Sequence, residues 1–172
     1  LYAGIAGGAD VILIPEIPYD EKLVIAALKK RQQRGKNFSI LAVAEGAKNL
    51  EEAKMNKKEY EQYKIDQAFN TVSYRLAKLI QEETGIETRV TIPGHQQRGG
   101  SPSPYDRVLA TRLGAFAAKM IDQELYGMTA SLRSDEVIAT PLDEVAGLTK
   151  TVPVDHNLIK TGKLIGITFG DE

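Results

Sequence analysis

The segment Pro93–Ser103, PGHQQRGGSPS, joins an apolar run to a helical pattern and holds glycines, serines, one histidine and one arginine. That composition suits a phosphate. Glycines let backbone N–H groups approach an anion, the following helix start adds the positive end of its dipole, and a guanidinium grips phosphate oxygens two at a time. His95 and Arg98, three positions apart, can both point at one ligand. The same residues also suit a plain tight turn with Arg98 solvated and His95 bonded locally, and without a full P-loop pattern both readings stay open.

Two further groups stand where chemistry is possible. Glu45 closes the apolar run Ser39–Ala44, and ligands of open α/β sheets collect beyond strand ends. There a carboxylate accepts hydrogen bonds from sugar hydroxyls, or serves as a hinge or cap. Arg89 sits in the alternating run Glu87–Ile92, where an arginine ordinarily takes a solvent or edge position. The cluster Lys29, Lys30, Arg31, Arg34 and Lys36 fits an anionic effector or the solvated face of a helix.

Composition removes several classes. Lys plus Arg number 22 against 23 Asp plus Glu, so no overall positive field draws nucleic acid or an anionic membrane. There is no cysteine, which excludes disulfides and thiol catalysis, and no apolar run approaches the ~20 residues of a membrane span. His95 and His156 are far apart and lack metal-ligand spacing, and no GxSxG, Walker A or GxGxxG pattern occurs. No metal site and no nucleotide cradle is therefore expected in these residues. With 172 residues and 42% hydrophobic content, the chain suits one domain or one lobe of a larger enzyme. Because it opens on Leu1 with no basic region ahead of an apolar one, it reads as a fragment without a secretory signal.

The elements that must position these groups follow from pattern. Asp10–Ile14 and Ser39–Ala44 read as buried strands, and Glu87–Ile92 as a third. Asp20 caps a helix to about Gln33 that buries Leu23, Val24, Ala27 and Leu28 and stops at Gly35. Leu50–Glu83 reads as two helices or one broken helix with a buried stripe of Tyr60, Tyr63, Ile65, Phe69, Val72, Leu76 and Ile80. Tyr105–Tyr126 is a helix on the spacing of Leu109, Leu113, Phe116 and Met120, followed by short strands at Met128–Leu132 and Val137–Leu142. Asp155 is expected to cap a last helix to about Lys163. Strands alternating with helices give the α/β class, three layers α/β/α around a mostly parallel sheet.

The block GHQQRGGSPSPYDRVLATRLGA, Gly94–Ala115, resembles the phosphofructokinase family, whose members carry GHxQRGGxPxxxDRxLAxRxG there. AGGADVILIPE (Ala6–Glu16) and RGKNFSILAVAEG (Arg34–Gly46) agree in order, so the resemblance covers essentially residues 1–172, as the C-terminal fructose-6-phosphate-binding portion of that fold. It implies that Glu45, His95, Gln96, Gln97 and Arg98 hold fructose 6-phosphate in one subunit, while Arg89 reaches the 6-phosphate of a neighbouring one. It further implies phosphoryl transfer from ATP or pyrophosphate with Mg2+ in glycolysis, by a cytoplasmic homo-oligomer, a homotetramer, with a shared site. The general base, donor-binding turn and magnesium ligands are expected upstream of Leu1, leaving no catalytic residue here. Gly8, Asp10, Arg34 and Lys36 match positions of an allosteric nucleotide site in shorter bacterial relatives, although Phe38 stands where those have histidine. The ending VPVDHNLIKTGKLIGITFGD resembles a branch with both ATP and pyrophosphate users. A non-catalytic regulatory or oligomerisation half is the alternative.

Overall fold

Alternation along Val11–Ile14 organises the first of two units. A strand buried on both faces sends successive side chains to opposite sides. Val11 and Leu13 accordingly enter one apolar cluster with Val24, Leu28, Leu76 and Ile80, while Ile12 and Ile14 enter another with Ile159, Ile167 and Phe169. The structure, a computed structural model, describes residues 1–66 and 71–172. Its first unit comprises Leu1–Thr91 and Thr151–Glu172, the second Ile92–Lys150.

In the first unit α1 (Tyr2–Ala6) leads into β1 (Val11–Leu13), then α2 (Glu21–Gln33), β2 (Leu41–Val43), α3 (Lys57–Asp66), α4 (Val72–Thr84) and, near the chain end, α6 (Asn157–Leu164). β1 and β2 pair in parallel, Val11 opposite Leu41 and Leu13 opposite Val43. On the other side of β1, the Ile12 amide donates to the Thr168 carbonyl and the Thr168 amide to Asp10, a single parallel bridge. Helices α2 and α4 supply one face of this sheet, and α6 the other. The expected α/β class, its parallel sheet and its three layers are what the unit shows. Gly4 permits the close seat of α1, because a Cβ there would lie 2.6 Å from Ile12 Cδ1.

Helix α2 begins as its sequence requires: the Asp20 carboxylate accepts from the Lys22 amide at 2.8 Å. It ends before Gly35, at φ +74°, a conformation that favours glycine. Val24 and Leu28 are buried as expected, Leu23 and Ala27 are only half-buried, and Ile25 takes their place on the buried face. Among its described residues the long charged segment holds a 3₁₀ turn at Glu52–Lys54 and the helices α3 and α4. Leu76 and Ile80 are buried and Tyr60 and Tyr63 half-buried, but Ile65 is 76% exposed and not part of the stripe; Phe69 lies outside the described residues.

Three expectations need correction. β2 is half-buried rather than buried, because among the described residues no strand pairs with its outer edge. Glu87–Ile92 is not a strand of that sheet. Ile86, Thr88 and Val90 are half-buried and alternate with exposed Glu87, Arg89 and Thr91, so the periodicity is real. The segment and β2 instead border a groove of about 730 Å³, lined by Leu41, Val43, Leu76, Ile80, Ile86 and Val90 among others. Finally, α6 is capped by His156, whose Nδ1 accepts from the Leu158 amide at 3.1 Å, one residue later than the Asp155 cap expected.

In the second unit a 3₁₀ turn at Gly94–Arg98 precedes α5 (Pro104–Asp122), then the hairpin of β3 (Met128–Arg133) and β4 (Glu136–Pro141). Ser103 opens α5 with a reciprocal cap. Its hydroxyl accepts from the Asp106 amide at 3.2 Å, and the Asp106 carboxylate accepts from the Ser103 amide at 2.8 Å. The helix closes at Asp122, short of Tyr126, where Glu124 (φ 55°) and Gly127 (φ 70°) turn the chain into β3. Met120 is buried and Leu109, Leu113 and Phe116 half-buried, as their spacing demands. Arg112 fixes the hairpin tip by donating to the Asp135 carboxylate and carbonyl.

Candidate functional site

The second unit carries the glycine-rich segment as a 3₁₀ turn, Gly94–Arg98, opened by Gly94 at φ +50° and followed by Gly100 at φ +90°. In a 3₁₀ turn residues three apart eclipse one another, so His95 and Arg98 share a face. Gln96 and Gln97 occupy the positions between them. The turn is closed by the Gln96 amide donating to Pro93 and the Gly99 amide to Gln96, both at 3.0 Å. His95, Gln96, Gln97 and Arg98 are exposed, and among the described residues no side-chain hydrogen bond or ion pair engages His95 or Arg98. An imidazole and a guanidinium on one face, left unengaged next to a capped helix, can take an anion together.

The first unit holds Glu45 and Arg89. Glu45 follows β2, whose end is tied to β1 by the Ala44 amide donating to the Leu13 carbonyl at 2.9 Å. Its carboxylate is exposed and borders a cleft of about 460 Å³ that Lys48, Glu52, Tyr60, Lys64 and Arg75 also line. The floor of this cleft is a polar network that local sequence patterns do not announce. Arg75 donates to both oxygens of Glu52 and, at 2.9 Å, to the Tyr19 hydroxyl. Glu52 and Asn49 cap each other through their amides at 2.8 and 2.9 Å, and the Asn49 side chain donates to Glu21 at 3.0 Å. Burial pushes the Tyr19 phenol up to about 12, the attraction of Arg75 notwithstanding. For Arg75 burial works against the charge, but its hydrogen bonds to Glu52 and Tyr19 win and hold the guanidinium above its ordinary value. Burial also raises the Tyr60 phenol, with Glu52 adding to the rise.

Arg89 has its side chain 86% exposed and paired with Glu87 at 2.9 Å, on the segment that borders the 730 Å³ groove. Lys36 lines that groove as well. Of the other residues matched to an effector site, Gly8 adopts φ +67° and Arg34 is exposed. Asp10 is engaged internally: it accepts from the Ile40 amide at 2.9 Å and pairs with Arg31 at 2.9 Å. Arg31 in turn donates to Ser39 at 3.0 Å. Asp10 thus ties α2 and the start of β2 to β1. The structure gathers His95, Gln96, Gln97 and Arg98 on one turn, and places Glu45 and Arg89 in the other unit.

The sequence profile described as phosphofructokinase matches residues 1–121. The chain belongs to the phosphofructokinase family. Among curated proteins, an ATP-dependent 6-phosphofructokinase of Spirochaeta thermophila is 56% identical over 171 residues, covering 99% of this chain and 47% of that protein. The ATP-dependent 6-phosphofructokinase 3 of Bacteroides thetaiotaomicron is 43% identical, over 99% of this chain and 46% of its own length. The chain therefore spans about half the length of the curated relatives it matches. Among solved structures, phosphofructokinase from Saccharomyces cerevisiae superposes with a TM-score of 0.62 at 29% identity, covering 83% of this chain and 18% of that one. A pyrophosphate-dependent phosphofructokinase from Nitrosospira multiformis gives 0.62 at 22% identity over 83% and 34%, a likeness of fold. Both are likenesses of the α/β fold. Lys48, Tyr60, Lys64 and Arg75 went unread in the sequence as cleft residues. The available signal was the spacing of Tyr60 and Lys64, four apart on one helix face, and of Lys48 just past Glu45.

Proposed function

We propose that this chain is the fructose-6-phosphate-binding portion of an enzyme that transfers the terminal phosphoryl group of ATP to the 1-hydroxyl of that sugar, giving fructose 1,6-bisphosphate and ADP in glycolysis. The observation that carries the reading is the shared face of His95 and Arg98 on the glycine-flanked turn. On this reading the guanidinium and imidazole neutralise and orient the 6-phosphate, with Gln96 and Gln97 beside them. Glu45 accepts hydrogen bonds from sugar hydroxyls. Arg89, free to exchange its exposed Glu87 partner, reaches the 6-phosphate held by a neighbouring copy, which makes the working form a homo-oligomer, a homotetramer, with a shared site. Such positioning is most of what a protein contributes to a loose phosphoryl-transfer transition state.

ATP is the favoured donor because curated relatives carry it in their names; pyrophosphate is the competing donor. Magnesium would neutralise the donor's phosphates. Among the described residues no group of three or more His, Asp or Glu side chains gathers to hold a metal. Its ligands, the general base and the donor site belong on this reading to sequence preceding Leu1. Gly8, Asp10, Arg34 and Lys36 retain a role as an effector site only if an effector displaces the Asp10–Arg31 pair. A cytoplasmic location fits the phosphosugar substrate, and among the described residues no helix is long and apolar enough to cross a membrane.

The test is formation of fructose 1,6-bisphosphate by the full-length parent chain with magnesium and either ATP or pyrophosphate. Product with ATP is expected. Product with pyrophosphate alone would overturn the donor, and product with neither, from folded protein, would overturn the kinase reading in favour of a regulatory half.

A further inference from the structure

Lys48 Nζ lies 4.0 Å and Lys64 Nζ 5.1 Å from the centre of the Tyr60 ring, so two ammonium groups gather on one aromatic side chain. A single cation over a ring is a favourable contact. A second one adds repulsion between like charges, and neither lysine has an ion pair among the described residues. Of the carboxylates in this cleft, Glu52 is committed to Arg75, which leaves Glu45 as the one uncommitted anion against two cations. Thr71 and Val72, at the start of α4, complete the wall and add the weak positive end of that helix. Lys48 is held by its backbone, whose carbonyl accepts from the Tyr19 amide at 3.0 Å. The cleft's 460 Å³ falls in the ~300–1,000 Å³ range of small-molecule sites.

We infer that Lys48 and Lys64, seated on Tyr60, form a phosphoryl-binding site in the cleft that opens at Glu45. The anion relieves the repulsion of the two ammonium groups, and the phenol ring fixes where they stand. The function proposed above places the one phosphate of fructose 6-phosphate on His95 and Arg98, so the group held here belongs to a second phosphorylated molecule; the anion chemistry rests on the lysines alone. Lys48 and Lys64 are then binding residues for a phosphorylated small molecule, contributed in part by α3.

The experiment is limited acetylation of the full-length parent chain, read lysine by lysine by mass spectrometry, with inorganic phosphate or fructose 6-phosphate as the probe. Acetylation of Lys48 and Lys64 is expected to slow about threefold at a probe concentration twice its dissociation constant, by mass action. Lys57 and Lys58, exposed on the same helix, should react unchanged. Protection by fructose 6-phosphate in place of phosphate would put the sugar's own phosphate on the lysines and overturn its placing on His95 and Arg98. Protection by phosphate with none by the sugar phosphate assigns it to a separate phosphorylated ligand and upholds the phosphoryl site. Equal rates with and without both probes would overturn it. In calorimetry, Lys48→Gln with Lys64→Gln is expected to weaken the protecting anion about tenfold, with Lys→Arg at both positions retaining it; unchanged affinity in the glutamine pair would also overturn the site. If His95→Ala and Arg98→Ala left fructose-6-phosphate affinity intact while phosphate still protected the lysines, the sugar-site reading would fail and this one would stand.

Discussion

Arg75 and Glu52 take opposite charges out of water together, with side chains 19% and 3% exposed. A buried ion pair contributes little net stability, but removing one partner strands the other. Glu52→Ala should therefore lower stability by about 3–5 kcal/mol, read from the urea midpoint. Glu51→Ala, one residue away and paired with Lys54 at the surface, should cost no more than about 1 kcal/mol. Equal effects would mean that the Arg75 network does not hold the cleft floor. Asp106 makes a different prediction. Its hydrogen bonds from Ser103 lower its carboxyl from the ordinary 3.8, so its support of α5 is present above that value and is lost as pH falls through the lower folded value. Ser103→Ala should move the Asp106 titration back up toward 3.8, as followed by NMR. No movement would show that the cap does not set its charge. The Ser103–Asp106 cap spans three residues and is a local signal beyond the expected helix start at Tyr105, whereas Arg75 and Glu52 are 23 apart and meet only through the packing of α4.

Among the elements, local signals served where they were sufficient. α2 and α5 start at capping residues and bury the faces their spacing sets. Glu87–Ile92 shows the limit. Alternation tells which side chains turn inward, but a ladder needs a partner about 4.8 Å away, and nothing local in the sequence specifies one. The junction of Gly170 with α2 was likewise illegible. Gly170 has φ +76°, and a Cβ there would lie 2.6 Å from Tyr19 Cβ, while the Asp20 amide donates to its carbonyl at 2.7 Å. Gly170→Ala should thus destabilise the first unit by about 1–3 kcal/mol through strain and overpacking, measured by thermal or urea unfolding. A neutral substitution would mean that the close approach is not required.

For the whole molecule, the family was legible because the Gly94–Ala115 block and the two apolar stretches are long and ordered in the chain. What the sequence concealed is how the chemistry-bearing residues divide, with Glu45 and Arg89 in one unit and His95 to Arg98 in the other. Long-range packing decides that division, and no spacing records it. The central claim, that the Gly94–Arg98 turn grips the sugar phosphate, is tested most directly by steady-state kinetics of the full-length parent chain carrying Arg98→Ala or His95→Ala. The account predicts a loss in kcat/KM for fructose 6-phosphate equivalent to about 2–4 kcal/mol, as expected for a desolvated charged contact, with the KM for ATP little changed. An unchanged kcat/KM for fructose 6-phosphate in both variants would contradict it.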